Sequence, residues 1–371
     1  MKLLYFTIQI NNLGGLARIV IDKINWLVVH GYEVTLCNIE RVEVKPYYEI
    51  DKRVKLVRGD MSTEPGGAWT RIKGVLASIR RLRQIIAEEK PDVIINAHTP
   101  LITWVLPWMS RDIPKVMEVH QSRQGLEVFN KRYLSPRNQF LHRHMIRWIY
   151  GRYDRFVVLT TGDRDSWNLK NCVVIPNFTT MQVSEKLGTS EEKKSVVVLA
   201  RLAPQKRIDL MIRIWEKVAA THKDWELNIL GDGIDREALQ QQIHDAGLDS
   251  SCHLLGAVTD VKPWLDKASV LALTSEYEGF GIVLIEAMLR RLAVIAFEYV
   301  GVHDIINNGT DGYVVPFGDI DEYASKLSEL MDNAELREKF TDDAVRSVKK
   351  FDKEMVMSRW ERLFAEIGHK K

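Results

Sequence analysis

Short, β-rich apolar runs alternate with longer stretches of helical period along nearly the whole chain. In the first half the runs are LLYFTI, EVTLCNI, VKLVRG, DVIINA, KVMEVH, RFVVLT and CVVIP, with helical-period segments between most of them, notably over residues 16–30 and 70–89. In the second half the runs are SVVVLA, WELNILG, CHLLG, SVLALTS, AVIAF and GYVVP, and residues 207–220, 236–246 and 282–290 read as helices. This alternation predicts parallel sheets built from βαβ units. Several runs are apolar without interruption, as expected of strands covered by helices on both faces.

The pattern lapses over residues 179–194, where the chain reads TSEEKK and carries no apolar period. That stretch is the expected linker. The domains are therefore expected at 1–178 and 179–352, with a terminal helix in 353–371 whose stripe of Met357, Trp360 and Phe364 suits it to brace the first domain. The fold class is α/β, two Rossmann-like, doubly wound domains. Such sheets bind ligands at the C-terminal edges of their strands, and two facing each other make a cleft.

Composition narrows the class. A length of 371 residues exceeds what one core usually organises, while 46% hydrophobic and 27% charged residues describe an ordinary globular chain. Cys37, Cys172 and Cys252 are scattered and form no CxxC pair, so they read as core fillers in a reducing, cytoplasmic compartment. The N-terminus reads as a buried strand rather than a signal peptide. The later apolar stretch at 101–109 is far below the roughly 20 residues that span a bilayer.

The net charge of +2 hides an asymmetry: residues 1–175 hold 27 Lys+Arg against 17 Asp+Glu, and residues 176–371 hold 25 against 33. The basic half is expected to meet something anionic. Its segments RIKGVLASIRRLR and HRHMIRWIYGR mix cations with Trp, Ile and Leu, which suits peripheral contact with anionic membrane; ordinary solvated helix faces are the alternative. His142 and His144 read as surface residues. No nucleic-acid partner is expected, since no binding module accompanies the charge.

The chemistry concentrates in LALTSEYEGFGIVLIEAMLRR. A strand ends near Ser275, Gly279 and Gly281 permit a tight turn around Phe280, and a helix begins near Ile282 with amides that form an anion site. Glu278 precedes the turn, and Glu286 lies among Ile, Val, Leu, Ala and Met, where a carboxylate must be hydrogen-bonded; a ribose diol supplies two donors. Each glutamate alone reads equally well as a solvated residue. In SVVVLARLAPQKRIDLMI a strand delivers Arg201, and Lys206 stands near the start of a helix. Cations there oppose the helix dipole unless an anion such as a diphosphate lies between. Arg207 reads as exposed. Gly14 and Gly15 in NNLGGLARIV permit close approach of a phosphate or acceptor, or simply a βα turn, and do not match the dinucleotide fingerprint. His120 ends the run KVMEVH at a ligand-binding edge, where its imidazole can meet a sugar hydroxyl; a structural histidine is the alternative. No metal is expected: Asp232 and Asp235 of LGDGID read as a turn and a helix cap, and HExxH, Walker A and GxSxG patterns are absent.

These residues resemble glycosyltransferase family 4, retaining enzymes of the two-domain GT-B fold. The likeness runs from NNLGGLARIVIDKINWLVVHGYEVTL through VVLTTGD, VIPN, ARLAPQKRIDLMI, ILGDG, LGAVTD and SEYEGFGIVLIEAM to GVHDIINNGTDGYVVP. It implies that Arg201 and Lys206 grip the diphosphate of a nucleotide-sugar donor and that Glu286 holds the ribose. Glu278 and the amides around Gly279, Phe280 and Gly281 would contact the transferred sugar. Gly15 would lie under phosphate or acceptor, His120 would face the sugar, and Val258 would border the base. The segment FEYVGVHDIINNG departs from many relatives, and no sugar contact is carried over to it. The implied activity is metal-independent, retaining transfer with no resident cofactor, from a UDP-sugar to a glycan or lipid-linked acceptor in surface polysaccharide or glycolipid synthesis. A nucleotide-sugar 2-epimerase of the same architecture and a non-catalytic nucleotide-sugar-binding subunit are the rivals.

Overall fold

The computed structural model describes residues 1–8, 10, 15–39, 46–61, 68–97, 99–185 and 194–368. It divides into two units, Met1–Asn177 with Val356–Lys371, and Phe178–Met355.

The first unit is built on seven parallel strands: β1 (Lys2–Thr7), β2 (Glu33–Asn38), β3 (Lys55–Arg58), β4 (Val93–Ala97), β5 (Lys115–Glu118), β6 (Arg155–Val158) and β7 (Cys172–Val174), in the order β3-β2-β1-β4-β5-β6-β7. The order reverses at β1, which pairs with both β2 and β4. Every residue of β4 and β5 is buried, as central strands covered on both faces must be, including the polar Asn96, Lys115 and Glu118. Helix α1 (Gly15–Val29) follows β1, and α2 (Ala68–Glu89) leads towards β4. Four helices, α3 (Pro100–Val105), α4 (Arg123–Tyr133), α5 (Pro136–Tyr150) and α6 (Thr161–Trp167), complete the crossovers. The start of α6 is fixed by Thr160, whose Oγ1 accepts from Asp163 N at 3.1 Å, while Asp163 Oδ1 accepts from Arg123 N at 2.9 Å.

The second unit repeats the plan with β8 (Ser195–Leu199), β9 (Glu226–Leu230), β10 (Cys252–Gly256), β11 (Val270–Leu273), β12 (Ala293–Phe297) and β13 (Tyr313–Val315), in the order β10-β9-β8-β11-β12-β13. Its helices are α7 (Ile208–Ala219), α8 (Arg236–Asp245), α9 (Lys262–Lys267), α10 (Ile282–Leu289), α11 (Ile320–Asp332) and α12 (Ala334–Ser347). The final helix, α13 (Lys353–Gly368), buries Met357, Trp360 and Phe364, and from Val356 onward it belongs to the first unit.

Three expectations need correction. Thr179 and Ser184, placed in the linker, are buried in the second unit: Ser184 N donates to Leu289 O at 2.8 Å, and Arg290 reaches back to Gln182 O at 3.0 Å. Polar backbone lying along a helix end satisfies orphan groups there without showing any apolar period. Residues 186–193 of that linker lie outside the described residues. Cys172, expected in a core, is half-buried at the edge strand β7, whereas Cys37 and Cys252 are buried. Burial pushes all three thiols up to about 12. His142, expected at the surface, is half-buried on α5.

Candidate active site

In the second unit the sheet reverses direction between β8 and β11, which pair through Val196 and Val197. Loops leaving the C-terminal ends at such a switch point are where doubly wound sheets bind ligands. Arg201 follows β8, and Lys206 ends a 3-10 turn, Pro204–Lys206, just before α7. Glu278 lies on the loop between β11 and α10. Lys206 Nζ donates to both carboxylate oxygens of Glu278, at 2.7 and 2.9 Å, and Ser275 Oγ donates to Oε1 at 2.7 Å. The two loops are also stitched through their backbones: Thr274 Oγ1 donates to Lys206 O at 3.1 Å, and Glu276 N to Gln205 O at 2.9 Å.

The expected diphosphate cation and the expected sugar-binding carboxylate are thus each other's partners. Their side chains keep 17% and 11% exposure, so the pair remains open to exchange. Arg201 is exposed and makes no ion pair among the described residues. Arg207, expected to be exposed, is instead half-buried: it takes a left-handed φ of 49° ahead of α7 and forks onto Asp209 at 3.0 and 2.8 Å.

A third loop holds Arg201 in place. Leu202 N donates to Asp232 O at 3.0 Å, and Asp235 N donates to Leu202 O at 3.1 Å. A Cβ on Gly231 would stand 1.8 Å from Ala200 O, and one on Gly233 would stand 2.2 Å from Leu202 O, so this approach admits only glycine. Reading the sequence for charged groups misses these two supports; the spacing of glycines in LGDG was the available signal. Asp232 serves the turn as expected, accepting from Gly233 N at 2.8 Å. Asp235 occupies the cap position of α8 but makes no side-chain cap bond, so that expectation fails.

Gly281 opens α10 with φ of 91°, and a Cβ there would lie 2.3 Å from Tyr299 Oη. Tyr299 donates to Phe280 O at 3.1 Å. Burial, aided by Glu278 and Asp304, holds its hydroxyl well above the usual tyrosine range, so it stays a donor. The Phe280 ring is buried against Phe351 at 5.4 Å, which leaves only its backbone for a ligand. Glu286 is 4% exposed and accepts from Thr179 Oγ1 at 3.4 Å, so the solvated alternative is excluded for it. Gly279 is half-buried on the same loop, and Val258 is half-buried after β10.

In the first unit, His120 follows β5. Its Nε2 lies 2.9 Å from Glu118 Oε1, but neither ring nitrogen has an aligned hydrogen-bond partner, so this contact is electrostatic. The same oxygen accepts from Lys23 Nζ of α1. Lys23 and Glu118 are sealed, at 1% and 2% side-chain exposure. Burial alone pushes the Glu118 carboxyl up, but the positive charges of Lys23 and His120 outweigh it and hold the group at about 2. Trp360 of α13 covers the ammonium, with its ring centroid 4.0 Å from Nζ. Gly15 begins α1 exposed, and nothing lies within 4 Å of where a Cβ would stand, so packing does not demand glycine there. Gly14 lies outside the described residues.

Two family models match this chain: Glycosyltransferase Family 4 over residues 13–182 and Glycosyl transferases group 1 over residues 181–346. The chain belongs to glycosyltransferase family 4. This family 4 glycosyltransferase is 26% identical over 385 residues to the amylovoran biosynthesis glycosyltransferase AmsD of Erwinia amylovora, covering 97% of this chain and 98% of that one. It is 26% identical over 376 residues to the GalNAc-alpha-(1->4)-GalNAc-alpha-(1->3)-diNAcBac-PP-undecaprenol alpha-1,4-N-acetyl-D-galactosaminyltransferase of Campylobacter jejuni, covering 98% of each. Its fold resembles that of Anabaena HepE in complex with UDP, with TM-score 0.78, 17% identity, and coverage of 99% of this chain and 100% of that one. The GT-B fold that the family resemblance implies is therefore present, and the two parallel sheets read from the strand pattern are its two sheets.

Proposed function

We propose that this glycosyltransferase moves a hexose or N-acetylhexosamine from a UDP-sugar to a glycan or lipid-linked acceptor, with retention and without a metal, in surface polysaccharide or glycolipid synthesis. The observation that carries the reading is the Arg201, Lys206 and Glu278 constellation at the switch point of the second sheet, with Glu286 buried on the adjoining helix. A diphosphate arriving there meets Arg201, the amides of α10 and, once Lys206 turns from Glu278, a second cation. The charge that develops on the departing nucleoside diphosphate is then held by preorganised groups, with no metal needed for that role. Glu278, released from Lys206, accepts from sugar hydroxyls, and Glu286 accepts from the ribose. The acceptor hydroxyl attacks from the face the diphosphate leaves and passes its proton to the leaving phosphate. His120 serves as hydrogen-bond partner to a sugar hydroxyl. The amylovoran and undecaprenol named for the two relatives support the acceptor class, and the UDP named for HepE supports the nucleotide.

Peripheral attachment to anionic membrane belongs to the same proposal. Among the described residues no helix is long and apolar enough to cross a membrane. Helix α5 exposes Phe140, Leu141, Met145 and Trp148 beside its cations, and α2 exposes Trp69, Ile72 and Leu76. Exposed aromatic and basic groups on one helix suit the interface of anionic lipid. Arg143 pairs with Glu127 at 3.3 Å and Arg147 donates to Asn168 O at 2.8 Å, so Phe140→Ser and Trp148→Ser test lipid contact without disturbing those bonds. Retained binding of the double variant to anionic liposomes overturns the attachment.

The donor test is a thermal-shift panel of UDP, GDP, ADP and their sugars, with and without EDTA, followed by transfer assays. A selective, EDTA-insensitive shift that vanishes in Arg201→Ala and Lys206→Ala is expected. Conversion of donor without acceptor favours the epimerase, and no shift with any nucleotide favours a non-catalytic subunit.

A further inference from the structure

The pair Lys23–Glu118 is buried, ionic and expensive to desolvate, yet it stands beside the one first-unit residue to which a role on the sugar is assigned. A purely structural purpose would be served as well by apolar residues of similar volume. Three features of the arrangement point to His120 instead. Glu118 Oε1 is shared, accepting from Lys23 Nζ while lying 2.9 Å from His120 Nε2. Among the described residues Nδ1 of His120 has no partner although the side chain is only 10% exposed, so that nitrogen keeps its hydrogen-bonding capacity for another group. Trp360 and Tyr5 enclose Lys23, with ring centroids 4.0 and 5.8 Å from Nζ, which keeps the ammonium where it faces Glu118.

We propose that Lys23 and Glu118 are positioning residues that together set the orientation and the proton content of His120. The carboxylate draws the imidazole towards Oε1 and favours its charged form. Lys23 shares that carboxylate and, as a neighbouring cation, opposes a second positive charge. Among the described residues, the ionisable groups gathered here are Lys23 from α1, Tyr5 from β1 with Tyr32 near it, Glu118 at the end of β5 and His120 just after it. Tyr5, wholly buried, is held protonated by burial and by the Glu118 charge, so it adds no charge of its own. The balance therefore lies between one anion and one cation, and removing either must move His120 in opposite directions. A scaffold that merely fills space predicts no such opposition.

The inference rests on the proposed role of His120 in sugar transfer, and its experiment separates the two. In the full-length protein, the His120 ring is followed by NMR titration and assigned by the signal lost in His120→Gln. Glu118→Gln is expected to lower its ionisation midpoint and Lys23→Met to raise it; Glu118→Asp restores part of the shift. In the transfer assay Glu118→Gln is expected to reduce kcat by roughly 10- to 100-fold with the donor KM little changed, and to move the acid limb of the pH–kcat profile to lower pH. If Lys23→Met fails to fold, the sign of the Glu118→Gln shift decides. A midpoint unmoved in folded Glu118→Gln, or moved upward, overturns the proposal whatever the assay shows. A wild-type protein with no transferase activity overturns the proposed function instead, and the titration still decides the pairing.

Discussion

Each unit carries a lysine–glutamate pair at the C-terminal edge of a parallel sheet, and the two pairs live in different surroundings. Lys23–Glu118 is sealed at 1% and 2% exposure under Trp360, whereas Lys206–Glu278 keeps 17% and 11%, with Lys206 on the same β8–α7 connection as the exposed Arg201. A sealed pair cannot trade partners without leaving a bare charge in the interior, so it holds one geometry. A half-open pair pays less to separate, because water or an incoming anion takes over each charge. The first pair is suited to fixing a neighbour, the second to being exchanged for a ligand.

The sharpest way to break this comparison is stability. Lys23→Met is expected to lose about 3–5 kcal/mol, because Glu118 is left buried without its counter-charge. Lys206→Met is expected to lose clearly less, because Ser275 still donates to Glu278 and the pair keeps some exposure to water. Urea unfolding of the two variants checks this, and equal losses would erase the distinction.

Catalysis should reverse the ranking within the second unit. Lys206→Ala and Arg201→Ala are each expected to lower the transfer rate by roughly 10²–10³-fold while leaving the unfolding midpoint nearly unchanged. Steady-state kinetics alongside the unfolding curves measure both.

Gly281→Ala probes the backbone that carries the half-open pair. Its Cβ would meet Tyr299 Oη at 2.3 Å in a left-handed conformation, so a loss of about 1–3 kcal/mol is expected. Adding Tyr299→Phe should recover the steric part of that loss. Calorimetry that finds no recovery would place the cost in the backbone alone.

Acid tests the sealed pair in a second way. The folded-state value of Glu118 lies below its ordinary 4.5, at about 2, under the attraction of Lys23 and His120 against the opposing effect of burial. A depressed carboxyl contributes stability that is present above pH 4.5 and is lost as pH falls towards 2. Unfolding midpoints of the wild type should decline across that window, and those of Glu118→Gln should decline less steeply.

Much of the candidate second-unit site was legible because each of its parts lies within a short window and carries a local signature. Glycines around Phe280, a carboxylate within an apolar helix and cations before a helix start are all visible in short windows. The pairing of Lys206 with Glu278 is not, since nothing in either window links the two. The close approach at Gly231 and Gly233 carries no charge or period, because what it requires is the absence of a side chain. Lys23 has a related character: within IVIDKINWLVV it looks like a break in a helix's apolar face.

The order of the strands, and the helices over 16–30, 70–89, 207–220, 236–246 and 282–290, followed from the sequence by itself, because apolar period and β-branched runs record which face of each segment is buried; α11 and α12 were not among the expected helices. The short helices α3, α6 and α9 and the segment 179–185 escaped, being too short to show a period; of the three helices only α6 has a side-chain cap, from Thr160. What only the tertiary structure decided is which charges meet. Lys23 finds Glu118 across 95 residues and Lys206 finds Glu278 across 72, because crossovers bring α1 beside β5 and set β8 next to β11. Burial is written locally, residue by residue; partnership depends on which elements become neighbours, and no single segment carries that information.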